Sequence, residues 1–312
     1  MKKLEKIDDK FILDQLKVNG GAHLEGFFSC EEVDALIAQF NDAEQSTLNN
    51  NNCGLVHYNN QKFVSQTLVH SRNMFDYLTS KKIFGLLKLY LEKPILKATR
   101  YYHTSAGAVS MWHHDEKNSD YTSKGMIMII YLSDVLNLND GPFEFISGSH
   151  NYSLEMTDEQ FFVENIESKC KDKITTVLGR AGTLIFADTR VIHRAKPHNN
   201  KLSRKSIFIQ VSKYQKNMYK EMLLVNPSFL TKEILLEPSL ISFLGFGIDS
   251  SSTIYPETSM ESLPLNSETL SKFYKWVISR AKKQGFELLP VSVKKMIRNQ
   301  RGSKVDYDSI KK

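Results

Sequence analysis

Apolar positions recur at helical period through the first hundred residues, and from about residue 95 they recur at the period of strands. Val33, Leu36, Ile37 and Phe40 form one helical stripe, and Ser29 and Glu32 precede it at capping-box spacing. A second helix is predicted across Arg72 to Leu91, where Met74, Leu78, Ile83, Leu86, Leu87 and Tyr90 make an apolar face. Residues 44 to 60 are polar, with Asn49 to Asn52 in a row before Gly54, and read as a mobile surface loop.

The second hundred residues read as short strands joined by turns. Met126 to Leu132 is a continuous apolar run, too short for a typical helix and suited to a buried strand. Asp140-Gly141-Pro142 reads as a turn, followed by Phe143 and Phe145 alternating with Glu144; Gly179 and Gly182 bracket another turn before Thr183 to Phe186. From Arg204 to Tyr214 the alternation puts Arg204, Ser206, Phe208 and Gln210 on one face and Ile207, Ile209 and Val211 on the other. The expected fold class is mainly β with flanking helices around a double-stranded β-helix (jelly-roll, cupin-like) core. Residues 1–214 are assigned to that core with its helical N-terminal part, and 215–312 to a C-terminal extension packed on the same domain. In the extension, prolines at 227, 238, 256, 264 and 290 interrupt the pattern, and one helix is predicted across Glu268 to Lys283.

Composition changes little in this picture. At 312 residues and 41% hydrophobic the chain can bury a large core, and the formal charge of +6 permits an anionic substrate without calling for nucleic acid. Part of the excess sits in the basic tail from Lys294 to Lys312, read as a solvated terminal segment. Cys30, Cys53 and Cys170 are too few and too dispersed for a disulfide framework or a thiolate zinc site, so a reducing interior fits. No apolar run approaches a membrane span, and charges occupy the N-terminus where a signal peptide needs its apolar stretch; a cytoplasmic protein is expected.

Candidate chemistry concentrates in Trp112-His113-His114-Asp115, His193 and Arg204. On extended backbone His113 and Asp115 project from one face, and with His193 they make two imidazoles and one carboxylate, the facial set that binds a divalent metal and leaves positions open. Arg204 adds a fixed cation suited to the carboxylate of an oxo-acid co-substrate. The His-x-Asp pair is weak evidence alone in a chain with nine histidines. His114 should point away by strand parity, His150 should order its loop, Trp112 should pack beneath the metal strand, and nothing specifies a role for His103 or His198.

Around these residues the chain resembles the phytanoyl-CoA dioxygenase family of iron(II)- and 2-oxoglutarate-dependent enzymes. The likeness runs from Asp14 to Gly20 and Leu24 to Val33, through Trp112 to Asp115 and Asp140 to His150, to Gly182 to Asp188, His193 to Asn199 and Arg204. It covers roughly residues 10 to 214, and its specificity lies in the order of the blocks. One departure is Ser147, where the family commonly has proline before Gly-Ser-His; another is the extension after Tyr214.

The resemblance implies that His113, Asp115 and His193 ligate Fe(II) and that Arg204 binds the distal carboxylate of 2-oxoglutarate. Alternation puts Ser206 beside Arg204, where its hydroxyl can donate to the same carboxylate, while Arg100 suits an anionic group of either co-substrate or substrate, or a plain ion pair. The implied reaction is hydroxylation of a C–H bond of a small-molecule metabolite with molecular oxygen, releasing succinate and carbon dioxide. Related halogenating enzymes lack the metal-bound carboxylate, so Asp115 favours hydroxylation; desaturation or ring closure remains open. The alternatives are a non-catalytic jelly-roll binding protein, which predicts loss of a ligand residue, and a cupin-type enzyme with another metal, which has no need of Arg204. Substrate and oligomeric state are not written in these residues.

Overall fold

The computed structural model describes residues 7–48, 55–58, 61–65, 67–108, 112–115, 124–151, 167–168, 170–214 and 225–246. Helix α1 (Asp9–Val18) starts where the Asp8 carboxylate accepts from the Phe11 amide at 3.0 Å, and it buries Ile12 and Leu16. After strand β1 (Gly21–Leu24), helix α2 (Cys30–Leu48) opens with the expected capping box. The Ser29 amide donates to Glu32 Oε2 at 2.9 Å, and the Glu32 amide donates to Ser29 Oγ at 3.3 Å.

The polar stretch assigned to a loop in fact continues α2 to Leu48, and Leu55–Tyr58 is strand β2, paired with β3 (Gln61–Ser65). The register, Leu55 facing Val64 and Val56 facing Phe63, supplies a cross-strand partner that local polarity does not reveal. The single helix predicted from Arg72 to Leu91 is two, α4 (Arg72–Thr79) and α5 (Lys81–Leu91), preceded by the short α3 (Thr67–His70). Ser80 adopts φ −59°, ψ 142°, ends α4, and accepts from the Ile83 amide as the cap of α5. An apolar stripe is blind to such a break, because the same buried face resumes one residue later.

The remaining strands are β4 (Pro94–Thr104), β5 (Gly125–Tyr131), β6 (Phe143–Ile146), β7 (Ile174–Val177), β8 (Leu184–Asp188), β9 (His193–Ala195) and β10 (Arg204–Lys213). They form a seven-stranded sheet in the order β1-β8-β5-β10-β4-β3-β2 and a three-stranded sheet β7-β6-β9, antiparallel at every pairing. One face of the large sheet carries Met126, Met128, Ile207, Ile209 and Val211 into a core shared with the helices, including Leu16, Phe40 and Leu87. The other face, with Ile127, Tyr131, Ile185 and Ala187, packs with Phe143 and Phe145 of the small sheet. This mostly antiparallel, helix-flanked, two-sheet arrangement is the expected jelly-roll core, and the period-2 alternation of β10 divides it into a packing face and a site face.

Of the extension, residues 225–246 include α6 (Lys232–Leu235) and α7 (Pro238–Phe243). They pack on the helical layer, with Phe229 against Phe75 at 5.7 Å and Phe243 against Phe84 at 5.3 Å between ring centroids. The helix predicted across Glu268 to Lys283 and the basic tail lie outside the described residues. Among the described residues no helix is long and apolar enough to cross a membrane. Ser147, at the departure from the family pattern, ties its turn to α1's end: its hydroxyl donates to Asn19 Oδ1 at 2.9 Å, away from the candidate ligands.

Candidate active site

His113 and His193 face each other across an isolated antiparallel bridge. The His113 amide donates to the His193 carbonyl at 2.9 Å, and the His193 amide to the His113 carbonyl at 2.7 Å. This reciprocal pair places the imidazole centroids 4.4 Å apart. Two residues on, the Asp115 amide donates to the Thr189 carbonyl at 3.1 Å, which returns its carboxylate to the same side. Asp115 Oδ1 lies 3.5 Å from His113 Nε2 and 3.6 Å from His193 Nε2, and the three ligand atoms all lie within 4.8 Å of one another.

Three observations fit this triad to a divalent metal. His193 Nδ1 lies 3.0 Å from the Val191 carbonyl; a proton there directs the Nε2 lone pair to the cluster. Asp115 Oδ2 is buried and has no hydrogen-bond partner among the described residues. Burial pushes the Asp115 carboxyl up, but the imidazoles of His193 and His113 outweigh it and hold the group well below the usual carboxylate range. An ionised oxygen buried without a donor is a ligand in search of a cation.

The triad opens on a cavity of ≈ 230 Å³ between the sheets. Its inner end is walled by Tyr131, Phe143, Arg204 and Ser206, all buried, and its outer end by the half-buried Gln61, Arg100, Tyr102 and Phe208. Arg204 begins β10 and is 7% exposed, yet its Nε has no partner among the described residues. Burial pulls the guanidinium pKa down, and the only charge effect of note is a small opposing one from Tyr131, so no carboxylate of the described residues compensates it. Ser206 lies opposite Tyr102 of β4 and Tyr131 of β5, on the face of Arg204. Arg100 reaches the same cavity from β4, where it donates to the Tyr102 hydroxyl at 3.1 Å.

Two contributors were under-read from sequence. Tyr131 appeared only as one residue of an apolar run, yet its hydroxyl accepts from the Phe143 amide at 2.8 Å and donates to the Val177 carbonyl at 3.1 Å, tying the two sheets together beside Arg204. Burial raises its phenol to about 12, so it stays protonated as a donor. Gly141, read as turn chemistry alone, has φ +68°, and a Cβ there would stand 3.1 Å from Arg204 Nη1 and 3.0 Å from the Lys196 carbonyl. Its missing side chain is the space in which the guanidinium lies.

The other histidines fall outside the cluster. His114 is buried away from the cavity, His150 Nε2 contacts the Lys17 carbonyl at 3.1 Å, His103 Nε2 meets Ser203 Oγ at 2.7 Å, and His198 Nε2 meets the Leu202 carbonyl at 2.6 Å. Trp112 is fully buried behind the triad, with the Arg194 guanidinium 4.3 Å above its ring.

Two facing antiparallel sheets, a His-Asp-His triad and a buried arginine with no carboxylate partner among the described residues fit the class of iron- and 2-oxoglutarate-dependent oxygenases. Solved structures share the fold. The epimerase SnoN in complex with Fe3+, alpha ketoglutarate and nogalamycin RO is 18% identical with TM-score 0.51, over 65% of this chain and 82% of that one. HygX from Streptomyces hygroscopicus, with nickel and 2-oxoglutarate bound, is 14% identical with TM-score 0.52, over 68% and 90%. The non-heme alpha ketoglutarate dependent carbocyclase SnoK from nogalamycin biosynthesis is 16% identical with TM-score 0.52, over 67% and 85%. A sequence search of curated proteins found no match. Residues 16–206 match the family described as Phytanoyl-CoA dioxygenase (PhyH), and the chain belongs to that family.

Proposed function

We propose that this protein hydroxylates a C–H bond of a small-molecule metabolite, coupling it to oxidative decarboxylation of 2-oxoglutarate to succinate and carbon dioxide. The observation that carries this reading is Arg204, a buried cation with no counter-charge among the described residues, which opens on the same cavity as the metal triad. His113, Asp115 and His193 would hold Fe(II). When bound, the iron supplies the redox chemistry that divides dioxygen between succinate and product.

The chain's own groups bind and orient. Arg204 pairs with the distal carboxylate of 2-oxoglutarate, and the Ser206 hydroxyl donates to it. Tyr131 keeps the sheets at a set separation, while Phe143 excludes water from the inner end. Asp115 keeps the carboxylate that related halogenating enzymes lack, which favours hydroxylation. SnoN and SnoK are named as an epimerase and a carbocyclase, so product analysis, not fold, decides the outcome in this chain. Three dispersed cysteines, Cys30, Cys53 and Cys170, without a CxxC pair suit the reducing, cytoplasmic setting proposed for this protein.

The test is an anaerobic titration of metal-free protein with iron(II) and 2-oxoglutarate, following the visible metal-to-oxo-acid charge-transfer band. A saturable band is expected, absent in Asp115→Ala and right-shifted in Arg204→Ala. Folded protein that binds iron(II) and shows no band would overturn the reading and favour a cupin-type enzyme without 2-oxoglutarate.

A further inference from the structure

Strand β8 leaves the large sheet at Asp188 and β9 enters the small one at His193, so residues 189–192 carry the chain from sheet to sheet beside the triad. They open as a tight turn, in which the Val191 amide donates to the Asp188 carbonyl at 3.1 Å. Two carbonyls of this segment meet candidate ligands. That of Thr189 accepts from the Asp115 amide at 3.1 Å, and that of Val191 lies 3.0 Å from His193 Nδ1. The first sets where the Asp115 carboxylate stands, and the second sets which His193 nitrogen faces the cluster. The conformation of the turn is therefore a condition of the triad's geometry.

The side chain in the middle of the turn bends back and locks it. Arg190 donates from its backbone amide and its Nε to Asp188 Oδ1, both at 2.8 Å, and from Nη2 to Asp188 Oδ2 at 2.7 Å. The Tyr90 hydroxyl, carried on α5, donates to the same Oδ2, which fastens the lock to the helical layer. Asp188 itself is fully buried. A two-pronged guanidinium–carboxylate pair fixes direction as well as distance, which a point charge does not. Tyr90, Asp188 and Arg190 lie outside the lining of the active-site cavity, so their reach to the site runs through the backbone of the turn.

We infer that Arg190 and Tyr90 are positioning residues for the metal site. Clamped on Asp188, they hold the turn that aims Asp115 and His193, and so set how tightly and in what geometry a divalent ion is bound. That role rests on the metal-binding part of the function proposed above and needs neither 2-oxoglutarate nor a substrate.

The probe for the test is cobalt(II) alone, added to the metal-free full chain, with affinity read by calorimetry and coordination geometry by the visible d–d bands. Wild type binds cobalt(II) saturably. Arg190→Gln should weaken binding about tenfold and alter the bands. Arg190→Lys, which keeps the charge and loses the fork, should recover part of that loss. Tyr90→Phe removes one hydroxyl and should show a smaller loss of the same kind. Glu144→Gln is the control for instability alone: it disturbs the buried Arg194 pair and should melt earlier with wild-type cobalt affinity and bands. Arg190→Gln and Tyr90→Phe that melt earlier but keep wild-type affinity and bands would show a purely structural cluster and overturn the assignment. Tyr90→Phe alone decides this point if Arg190→Gln does not fold. A cobalt loss in Glu144→Gln equal to that in Arg190→Gln would trace the effect to instability and overturn it as well. A wild type that binds no cobalt(II) overturns the metal site and the positioning role together. A wild type that binds it, yet gives no charge-transfer band with iron(II) and 2-oxoglutarate, sinks the co-substrate reading alone.

Discussion

Arg194 and Arg204 are both withdrawn from solvent, at 4% and 7% exposure, and the difference between them separates structure from function. Arg194 lies on β9, next to the ligand His193, and points to the opposite side. Its Nε donates to Glu144 at 2.8 Å, a second nitrogen donates to Glu167 at 2.9 Å, and its plane covers Trp112. Arg204 has similar burial with no carboxylate partner among the described residues, and a glycine stands against its Nη1. Burying an unpaired guanidinium is costly, and a fold bears such a cost where a ligand completes the pair. One arginine is therefore paired within the chain; the other has no carboxylate among the described residues and, on the function proposed above, meets that of 2-oxoglutarate.

Four experiments break or sharpen this contrast. The largest effect belongs to Arg204→Ala, which should weaken 2-oxoglutarate binding by about 3–5 kcal/mol, more than a hundredfold. Its thermal stability should hold or rise, because an uncompensated charge is removed; a marked fall in melting temperature would show that Arg204 has a structural partner after all. Glu144→Gln should do the reverse. It strips the buried Arg194 of its main counter-charge, destabilising the fold by about 3 kcal/mol in urea, while the folded fraction binds 2-oxoglutarate as before.

A third arginine supplies a pH test. Arg190 pairs with the buried Asp188, which also accepts from the Tyr90 hydroxyl. Burial alone would raise the Asp188 carboxyl, but the Arg190 and Tyr90 hydrogen bonds and the Arg190 charge carry it below the ordinary range. A carboxyl depressed on folding contributes stability that is complete above its unfolded pKa and lost as pH falls through its folded pKa. Asp188→Asn should therefore be less stable than wild type by about 1.5–3 kcal/mol at neutral pH. The gap should close as the pH is lowered past 4 (roughly the unfolded value); a gap constant down to acid pH would show that charge is not its source. The smallest effect is expected of Gly141→Ala, which strains a left-handed backbone by about 1 kcal/mol and crowds the guanidinium. A calorimetric melt should show the small stability loss, and the charge-transfer titration a several-fold weaker 2-oxoglutarate complex.

Legibility from sequence followed the range of the interaction. The cap at Ser29 and Glu32, the strand around Met126 to Leu132 and the two faces of Arg204 to Val211 all follow from spacings of two to four residues, and all are present. The break at Ser80 is also local, but both helices present one apolar stripe, so periodicity could not register it. The strand at Leu55–Tyr58 was hidden because its partner β3, not its own polar surroundings, makes it a strand.

By itself, then, the sequence determined which residue types were on offer and which face of its own element each would occupy, including His113 with Asp115 on one side and His114 on the other. Tertiary structure alone decided that His193 stands across from His113, that Tyr131 spans the two sheets, that Gly141 makes room for Arg204, and that Arg100 and Arg204 occupy different ends of one cavity. The reason is physical: side-chain direction within an element follows from backbone period, whereas juxtaposition across elements depends on sheet register, and a slip of a single residue would turn each of these groups to the other face.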